Sequence, residues 1–153
     1  MLDSYALDSS VLVASLIPSD RFYDSGTNVL KRLLGSSDAV YASAIVPVEV
    51  CAAIARRTKD KAIAQEVGRQ IDRWIQLGRL HILYPSAARM KRARRIGVEH
   101  LLRGMDAIVV EVAEEKQIPL VTFDQELSDR VADVVKTVTQ DNLKGELPPI
   151  EEE

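Results

Sequence analysis

The chain has 153 residues, of which 46% are apolar and 28% charged. This length and composition are typical of one compact globular domain and argue against a disordered or fibrous protein. A single cysteine, Cys51, excludes an intramolecular disulfide framework and fits a reducing compartment. The sequence contains no apolar run long enough to span a membrane. Asp3 and Asp8 interrupt the apolar segment that a signal peptide would need at the amino end. We therefore expect a cytoplasmic protein without membrane contact.

Charge is distributed unevenly along the chain. The formal net charge is −3, yet residues 146–153 contain four acids and no base. Residues 1–145 hold 20 bases and 19 acids, and we interpret them as a single domain that precedes an acidic Pro/Glu tail. Bases cluster in segments 56–61 and 89–103. Such clusters can bind phosphate groups or form solvated helix faces, and charge alone leaves both interpretations open.

Apolar strand patterns alternate with helical patterns along the chain. The predicted strands are residues 4–7, 39–42, 80–84, 120–123 and 135–138. The predicted helices are 11–16, a helix from Ser19 or Asp20 to Gly35, 44–57, 60–77, a basic helix after Pro85 with a break near Gly97 or Gly104, 106–116 and 125–132. This alternation predicts an α/β fold in which helices cover both faces of a parallel five-stranded sheet. It does not reveal the order of the strands.

Two aspartates directly follow predicted strands. Asp8 comes after strand 4–7, and Asp124 comes after strand 120–123. Because ligands bind beyond the carboxyl ends of parallel strands, the pattern predicts that both side chains project from one edge of the sheet. Either aspartate could instead cap the helix that follows it, although Ser9 and Ser10 offer other caps after Asp8.

A third acid, Asp106, shares a predicted helix face with the apolar Val109. The glutamates that follow on this helix are expected on its wetter sides: Glu111, Glu114 and Glu115. An acid in the first turn also interacts favourably with the helix dipole, which is an alternative explanation for Asp106.

Glu49 is the fourth unusual acid, because it is the only residue of the segment 47–53 that is charged at neutral pH. A carboxylate on a buried face is costly unless it is paired, protonated or bound to a cation. A salt bridge to Arg56 is one explanation for Glu49. One shared site is a simpler explanation for all four acids than four separate ones.

Carboxylates with neighbouring hydroxyl groups suit a hard divalent cation such as Mg²⁺ or Mn²⁺. The ligands that zinc prefers do not cluster, because His81, His100 and Cys51 are widely separated. Neither histidine lies at a predicted strand end, so a nucleophilic triad is unsupported, and the sequence has no Gly-rich phosphate loop. The remaining chemistry is metal-assisted hydrolysis or phosphoryl transfer.

Each acid lies in a short segment with a recognisable pattern. The segments are YALDSSVLVA (5–14, with Asp8), SAIVPVEV (43–50, with Glu49), DAIVVEVA (106–113, with Asp106) and VTFD (121–124, with Asp124). In order and spacing they resemble the motifs of PIN-domain nucleases, and among these the VapC-type toxins of prokaryotic toxin–antitoxin pairs. The resemblance extends from residue 3 to about residue 140.

The resemblance implies an α/β/α sandwich and cleavage of RNA that depends on Mg²⁺ or Mn²⁺. It implies that Asp8 and Asp106 are the main metal ligands and that Asp124 completes the cluster directly or through a water molecule. Glu49 would hold or activate the attacking water. Ser10 and Thr122 match hydroxyl positions that support the acids.

The resemblance also implies partners for the protein. Homodimers and a cognate antitoxin are features of the family, and RNA is the substrate. Six basic residues thereby become candidate RNA contacts: Arg56, Arg57, Lys59, Arg92, Arg94 and Arg95.

Other functions of α/β proteins with clustered carboxylates are alternatives to this one. A haloacid-dehalogenase-type phosphatase needs an acid two residues after Asp8, where this chain has Ser10. A response-regulator receiver needs an aspartate at the end of its third strand, where this chain has Pro85. Two alternatives keep the fold: a PIN nuclease of RNA maturation without an antitoxin, and a PIN module that binds RNA or protein without cleavage.

Overall fold

The computed structural model describes residues 3–35 and 38–140, and the predicted acidic tail (146–153) lies outside these residues. The described strands are β1 (Ser4–Leu7), β2 (Ala39–Ser43), β3 (His81–Leu83), β4 (Leu120–Val121) and β5 (Thr137–Val138). The described helices are α1 (Ser9–Leu16), α2 (Tyr23–Leu34), α3 (Ile45–Thr58), α4 (Lys61–Gln76), α5 (Ala87–His100), α6 (Gly104–Lys116) and α7 (Gln125–Arg130). None of these helices is both long and apolar enough to cross a membrane.

The strands form one sheet in the order β3-β2-β1-β4-β5, and every neighbouring pair is parallel. The chain starts in the middle of the sheet, proceeds to β3 at one edge and returns past β1 to β4. Because crossovers between parallel strands are right-handed, the two directions place helices on opposite faces of the sheet. The predicted three-layer α/β/α fold is confirmed. Its switch point, where ligands of such sheets bind, lies between β1 and β4.

Local sequence signals explain several helix ends. Asp60 caps α4 by accepting hydrogen bonds from two backbone N–H groups of its first turn, and Ser86 caps α5 in the same way with one. Pro47 is the third residue of α3. A proline in the first turn is tolerated because its missing N–H would have had no partner within the helix.

Two predicted boundaries differ from the structure. The second helix begins at Tyr23, later than the predicted Ser19 or Asp20. The Asp20 side chain accepts a hydrogen bond from the Phe22 N–H at 2.9 Å, which forms a turn before the helix begins. The strands predicted at 120–123 and 135–138 pair over only two residues each, in β4 and β5.

The core lies between the sheet and its two helical layers, and it includes one unexpected acid. Glu111 is only 2% exposed, so the prediction that it faces water was wrong. Guanidinium nitrogens of Arg89 and Arg92 on α5 lie 3.0 and 3.2 Å from its two carboxylate oxygens. The basic side of α5 packs against α6 here, and the ion pairs make the burial of Glu111 tolerable.

Candidate active site

The switch-point edge of the sheet contains a cavity of about 800 Å³, which all four predicted site acids line. Asp8 directly follows β1, and Asp124 lies three residues beyond the end of β4, where it precedes α7. Glu49 lies on α3, and Asp106 lies in the first turn of α6. These helices contact each other. The fold therefore brings the four acids to one place, and their individual roles remain predictions.

Asp8 is the most deeply buried of these acids, with 4% of its surface exposed. One of its oxygens, Oδ2, accepts hydrogen bonds from Ser10 Oγ at 2.6 Å and from Thr122 Oγ1 at 2.7 Å. Burial raises the pKa of Asp8, the two hydroxyl groups oppose that rise, and the charge of Asp124 adds to it. The side chain makes no capping bond to α1, so the capping explanation fails for Asp8.

The same hydroxyl groups also fix the turn that follows β4. Ser10 Oγ accepts the Phe123 N–H at 3.0 Å, and Thr122 Oγ1 accepts the Asp124 N–H at 3.1 Å. Asp124 then accepts the Leu127 N–H at 3.0 Å through Oδ1. The capping explanation is therefore correct for Asp124, whose carboxylate both begins α7 and lines the cavity.

Glu49 and Asp106 are half-buried and electrostatically coupled to Asp8. Burial, and then the charges of Asp8 and Asp106, raise the pKa of Glu49 to about 7. Burial and the charges of Asp8 and Asp124 raise the pKa of Asp106, and Arg103 opposes that rise. The ion pairs formed among the described residues do not include Glu49, so the proposed salt bridge to Arg56 is not formed.

The side chains that line the cavity fit a hard divalent cation. Their carboxylates supply the oxygen atoms that such cations prefer, and the negative charges of the acids repel one another when no cation offsets them. Within residues 3–35 and 38–140, no three acid, histidine or cysteine side chains are placed closely enough to form a ready-made metal centre. The carboxylates thus share a cavity without forming a closed ligand shell.

Basic residues at the end of α3 line the rim of the same cavity. Arg56 and Arg57 both face it, and Arg57 donates a hydrogen bond to Asp20 at 2.9 Å. This ion pair ties the connection between α1 and α2 to the helix that carries Glu49. Lys59 is exposed just beyond α3. Carboxylates beside exposed arginines in one cavity are suited to bind a metal ion and a phosphodiester together.

A family model for the PIN domain matches residues 5–133. The chain belongs to the PIN domain family. No curated protein matches it.

Solved structures share this PIN fold. The toxin VapC20 of Mycobacterium tuberculosis, described as cleaving the sarcin-ricin loop, has a TM-score of 0.66 at 22% identity, covering 86% of this chain and 97% of that chain. VapBC2 of Rickettsia felis, bound to promoter DNA, has a TM-score of 0.62 at 18% identity, with 89% and 98% covered. FitAcB of Neisseria gonorrhoeae has a TM-score of 0.63 at 20% identity, with 91% and 99% covered.

In this PIN domain, the three arginines predicted to bind RNA from α5 lie in different surroundings. Arg92 lies 3.2 Å from Glu111, and Arg95 pairs with Glu114 of α6. Arg94 is exposed and forms no ion pair with a described residue. Its guanidinium is available for phosphate, whereas Arg92 and Arg95 already hold α5 against α6.

Sequence reasoning missed other residues that line the PIN cavity. Phe22 fitted the helical spacing of α2, yet it precedes that helix and lines the cavity together with Phe123. Arg103 lines a neighbouring cavity together with Asp106 and Asp124, and the sequence indicated it only as part of a basic segment. For Phe123, the sequence signal was its position between Thr122 and Asp124, because a residue between two site residues in the chain lies close to the site.

Proposed function

We propose that this PIN domain is a divalent-metal-dependent ribonuclease that hydrolyses internal phosphodiester bonds of RNA. The observation that carries the proposal is the buried Asp8, which Ser10 and Thr122 orient at the switch point beside three further acids. Membership of the PIN family supports it, as does the likeness in fold to VapC20, which is described as cleaving the sarcin-ricin loop.

Asp8, Asp106 and Asp124 would hold Mg²⁺ or Mn²⁺, with Glu49 beside them. Such an ion, when bound, lowers the pKa of a water molecule and offsets negative charge on the phosphate. The burial of Asp8 and the mutual repulsion of the acids favour the binding of a cation, because a cation relieves both penalties.

Other residues of the chain act on water and substrate. Ser10 and Thr122 fix the orientation of the Asp8 carboxylate by donating to the same oxygen. Glu49 lines the same cavity and forms no ion pair with a described residue, so its carboxylate is suited to hold the attacking water and to accept its proton. Arg56, which forms no ion pair with a described residue, is suited to bind a phosphate near the cleaved bond, and Arg57 can contact another through the exposed part of its guanidinium while it remains paired with Asp20.

The test is cleavage of RNA by the purified protein with Mg²⁺ or Mn²⁺, with EDTA, and with the variant Asp106→Asn. We expect cleavage that stops in EDTA and falls by about a hundredfold in Asp106→Asn, because a charged ligand is lost while shape is nearly kept. Asp72→Asn is the matched control, since Asp72 is exposed on α4 and does not line the cavity. Undiminished cleavage in EDTA would refute the metal mechanism.

We further propose that the protein is the toxin of a toxin–antitoxin pair and forms a homodimer. The fold it shares with VapBC2, and with a toxin–antitoxin complex from Klebsiella pneumoniae, supports this proposal. Expression of the chain should arrest growth, and Asp106→Asn should not. Co-expression of the product of a neighbouring short reading frame should restore growth, and light scattering should give twice the chain mass. Growth that is unaffected by the active protein would favour a nuclease of RNA maturation.

A further inference from the structure

Both phenylalanines of the chain lie in the wall of the acidic cavity. Phe22 and Phe123 are its only phenylalanines, and aromatic residues make up just 5% of the sequence. Their ring centroids are 5.6 Å apart and the ring planes are inclined at 56°. The guanidinium carbon of Arg21 lies 4.4 Å from the centroid of the Phe22 ring. An exposed arginine, an aromatic pair and a cluster of acids thus line one cavity.

Phe123 is fixed directly to the hydrogen-bond network of the acids. It lies between Thr122, which donates to Asp8, and Asp124, and its own N–H donates to Ser10 Oγ at 3.0 Å. Its ring is half-buried and packs against the core. Phe123 therefore has a fixed position relative to Asp8, as a residue that positions substrate beside a reacting phosphate must have.

Phe22 is held by a different part of the chain, the turn that precedes α2. Asp20 accepts the Phe22 N–H through Oδ1 and binds Arg57 through Oδ2, at 2.9 Å each. The turn is also set by close packing of α1 on α2, since a Cβ at Gly26 would lie 2.8 Å from the backbone nitrogen of Ser15. Phe22 itself is half-buried and is not one of the described residues that pack against the core. Core packing therefore does not explain why an aromatic ring stands here.

We propose that Phe22 and Phe123, with the Arg21 guanidinium, form a stacking site for a nucleobase next to the cleaved phosphate; this inference rests on the proposed ribonuclease function. Unpaired bases of RNA stack on aromatic rings and on arginine planes. The site lines the same cavity as the acids and as Arg56 and Arg57. It would select single-stranded or splayed RNA, because a base inside a duplex cannot reach a ring in the wall of a cavity.

Binding and cleavage test the inference separately. The probe is an oligoadenylate of about ten nucleotides, which spans a typical single-strand site. An abasic ribose-phosphate chain of equal length keeps the charge and lacks the bases. Affinity is measured in EDTA for the wild type, Phe22→Leu, Phe22→Tyr and Tyr84→Leu. Tyr84 is an exposed aromatic residue outside the cavity and serves as the matched control.

We expect Phe22→Leu to weaken oligoadenylate binding by about fivefold to a hundredfold, with Phe22→Tyr close to the wild type and Tyr84→Leu unchanged. The abasic chain should bind all four proteins equally, since it has nothing to stack. In cleavage assays Phe22→Leu should raise KM more than it lowers kcat.

The outcomes separate this inference from the proposed function. Cleavage by wild type with unchanged affinity in Phe22→Leu would overturn the stacking site alone. Binding that depends on Phe22 and on the bases, without cleavage by any form, would overturn the ribonuclease alone. Equal losses for the abasic chain and the oligoadenylate would overturn the stacking site, because Phe22 would then serve packing or a protein partner. Absence of both RNA binding and cleavage would overturn both proposals.

Discussion

Replacing Glu49 with glutamine should remove a pH-dependent penalty on the stability of the metal-free protein. An unfolded glutamate loses its proton near pH 4.5, whereas in the folded chain the pKa of Glu49 is about 7. Between these two values the folded state binds more protons than the unfolded state, so stability falls as the pH rises. The penalty is absent below about pH 4.5 and complete above about pH 7.

The size of this penalty follows from the two pKa values and the exposure of the side chain. One pKa unit corresponds to about 1.4 kcal/mol, so the full difference would amount to roughly 3 kcal/mol. Glu49 is only half-buried, and solvent screening reduces the expected penalty to on the order of 1–2 kcal/mol. Glutamine has nearly the same shape and no charge, so Glu49→Gln should gain that amount at pH 8 and nothing at pH 4.

Urea denaturation in EDTA at several pH values measures this difference. Glu66→Gln is the matched control, because Glu66 is an exposed glutamate on α4 whose ion pair with Arg69 contributes little. The free energy of unfolding of Glu49→Gln should diverge from that of the wild type as the pH rises, and the control should follow the wild type. Parallel curves for Glu49→Gln and the wild type would refute the claim that Glu49 is a repelled, half-buried acid.

Three further predictions concern stability and binding. Glu111→Ala removes the buried carboxylate that pairs with Arg89 and Arg92, which keep only the more exposed Glu115, and should cost about 2–3 kcal/mol in urea denaturation. Glu114→Ala should cost less than about 1 kcal/mol, and equal losses would contradict the buried pairing. Thr122→Val removes the donor to Asp8 and the acceptor of the Asp124 N–H. The free energy of unfolding, measured in the same way, should fall by about 1–3 kcal/mol, and calorimetry should show a lower affinity for Mn²⁺. Arg94→Ala should flatten the salt dependence of RNA binding, whereas Arg92→Ala should mainly lower stability; equal salt slopes for Arg94→Ala and the wild type would refute a phosphate contact.

The sequence was sufficient to predict the convergence of the acids. Asp8 and Asp124 each follow a short apolar strand, and in a parallel sheet such positions share an edge whatever the strand order. The order itself could not be predicted, because it depends on which strands pair across the chain. The switch point between β1 and β4 therefore became visible only in the structure.

Residues whose environment comes from distant elements were predicted less well. The helical pattern of α6 gives the direction in which Glu111 points, but it cannot show that Arg89 and Arg92 of α5 lie there. Phe22 fits a helical pattern equally well, and the turn at Asp20 decides against it. Both errors have one cause: periodicity describes a helix face, and a neighbour determines what that face contacts.

The hydroxyl groups of Ser10 and Thr122 also link the Asp8 carboxylate to backbone amides of the turn after β4. Each hydroxyl accepts a backbone N–H, from Phe123 or Asp124, and gives its only proton to Asp8 Oδ2. Two chains of hydrogen bonds, or relays, therefore lead from a backbone amide through a hydroxyl group to the carboxylate. Each hydrogen bond in a chain polarises the next one. A proton placed on Oδ2 of Asp8 would compete with both relays at once. Ionisation of Asp8 and the conformation of the turn after β4 are thus coupled, so that exchange of the Phe123 and Asp124 amide protons reports the charge of a carboxylate one strand away.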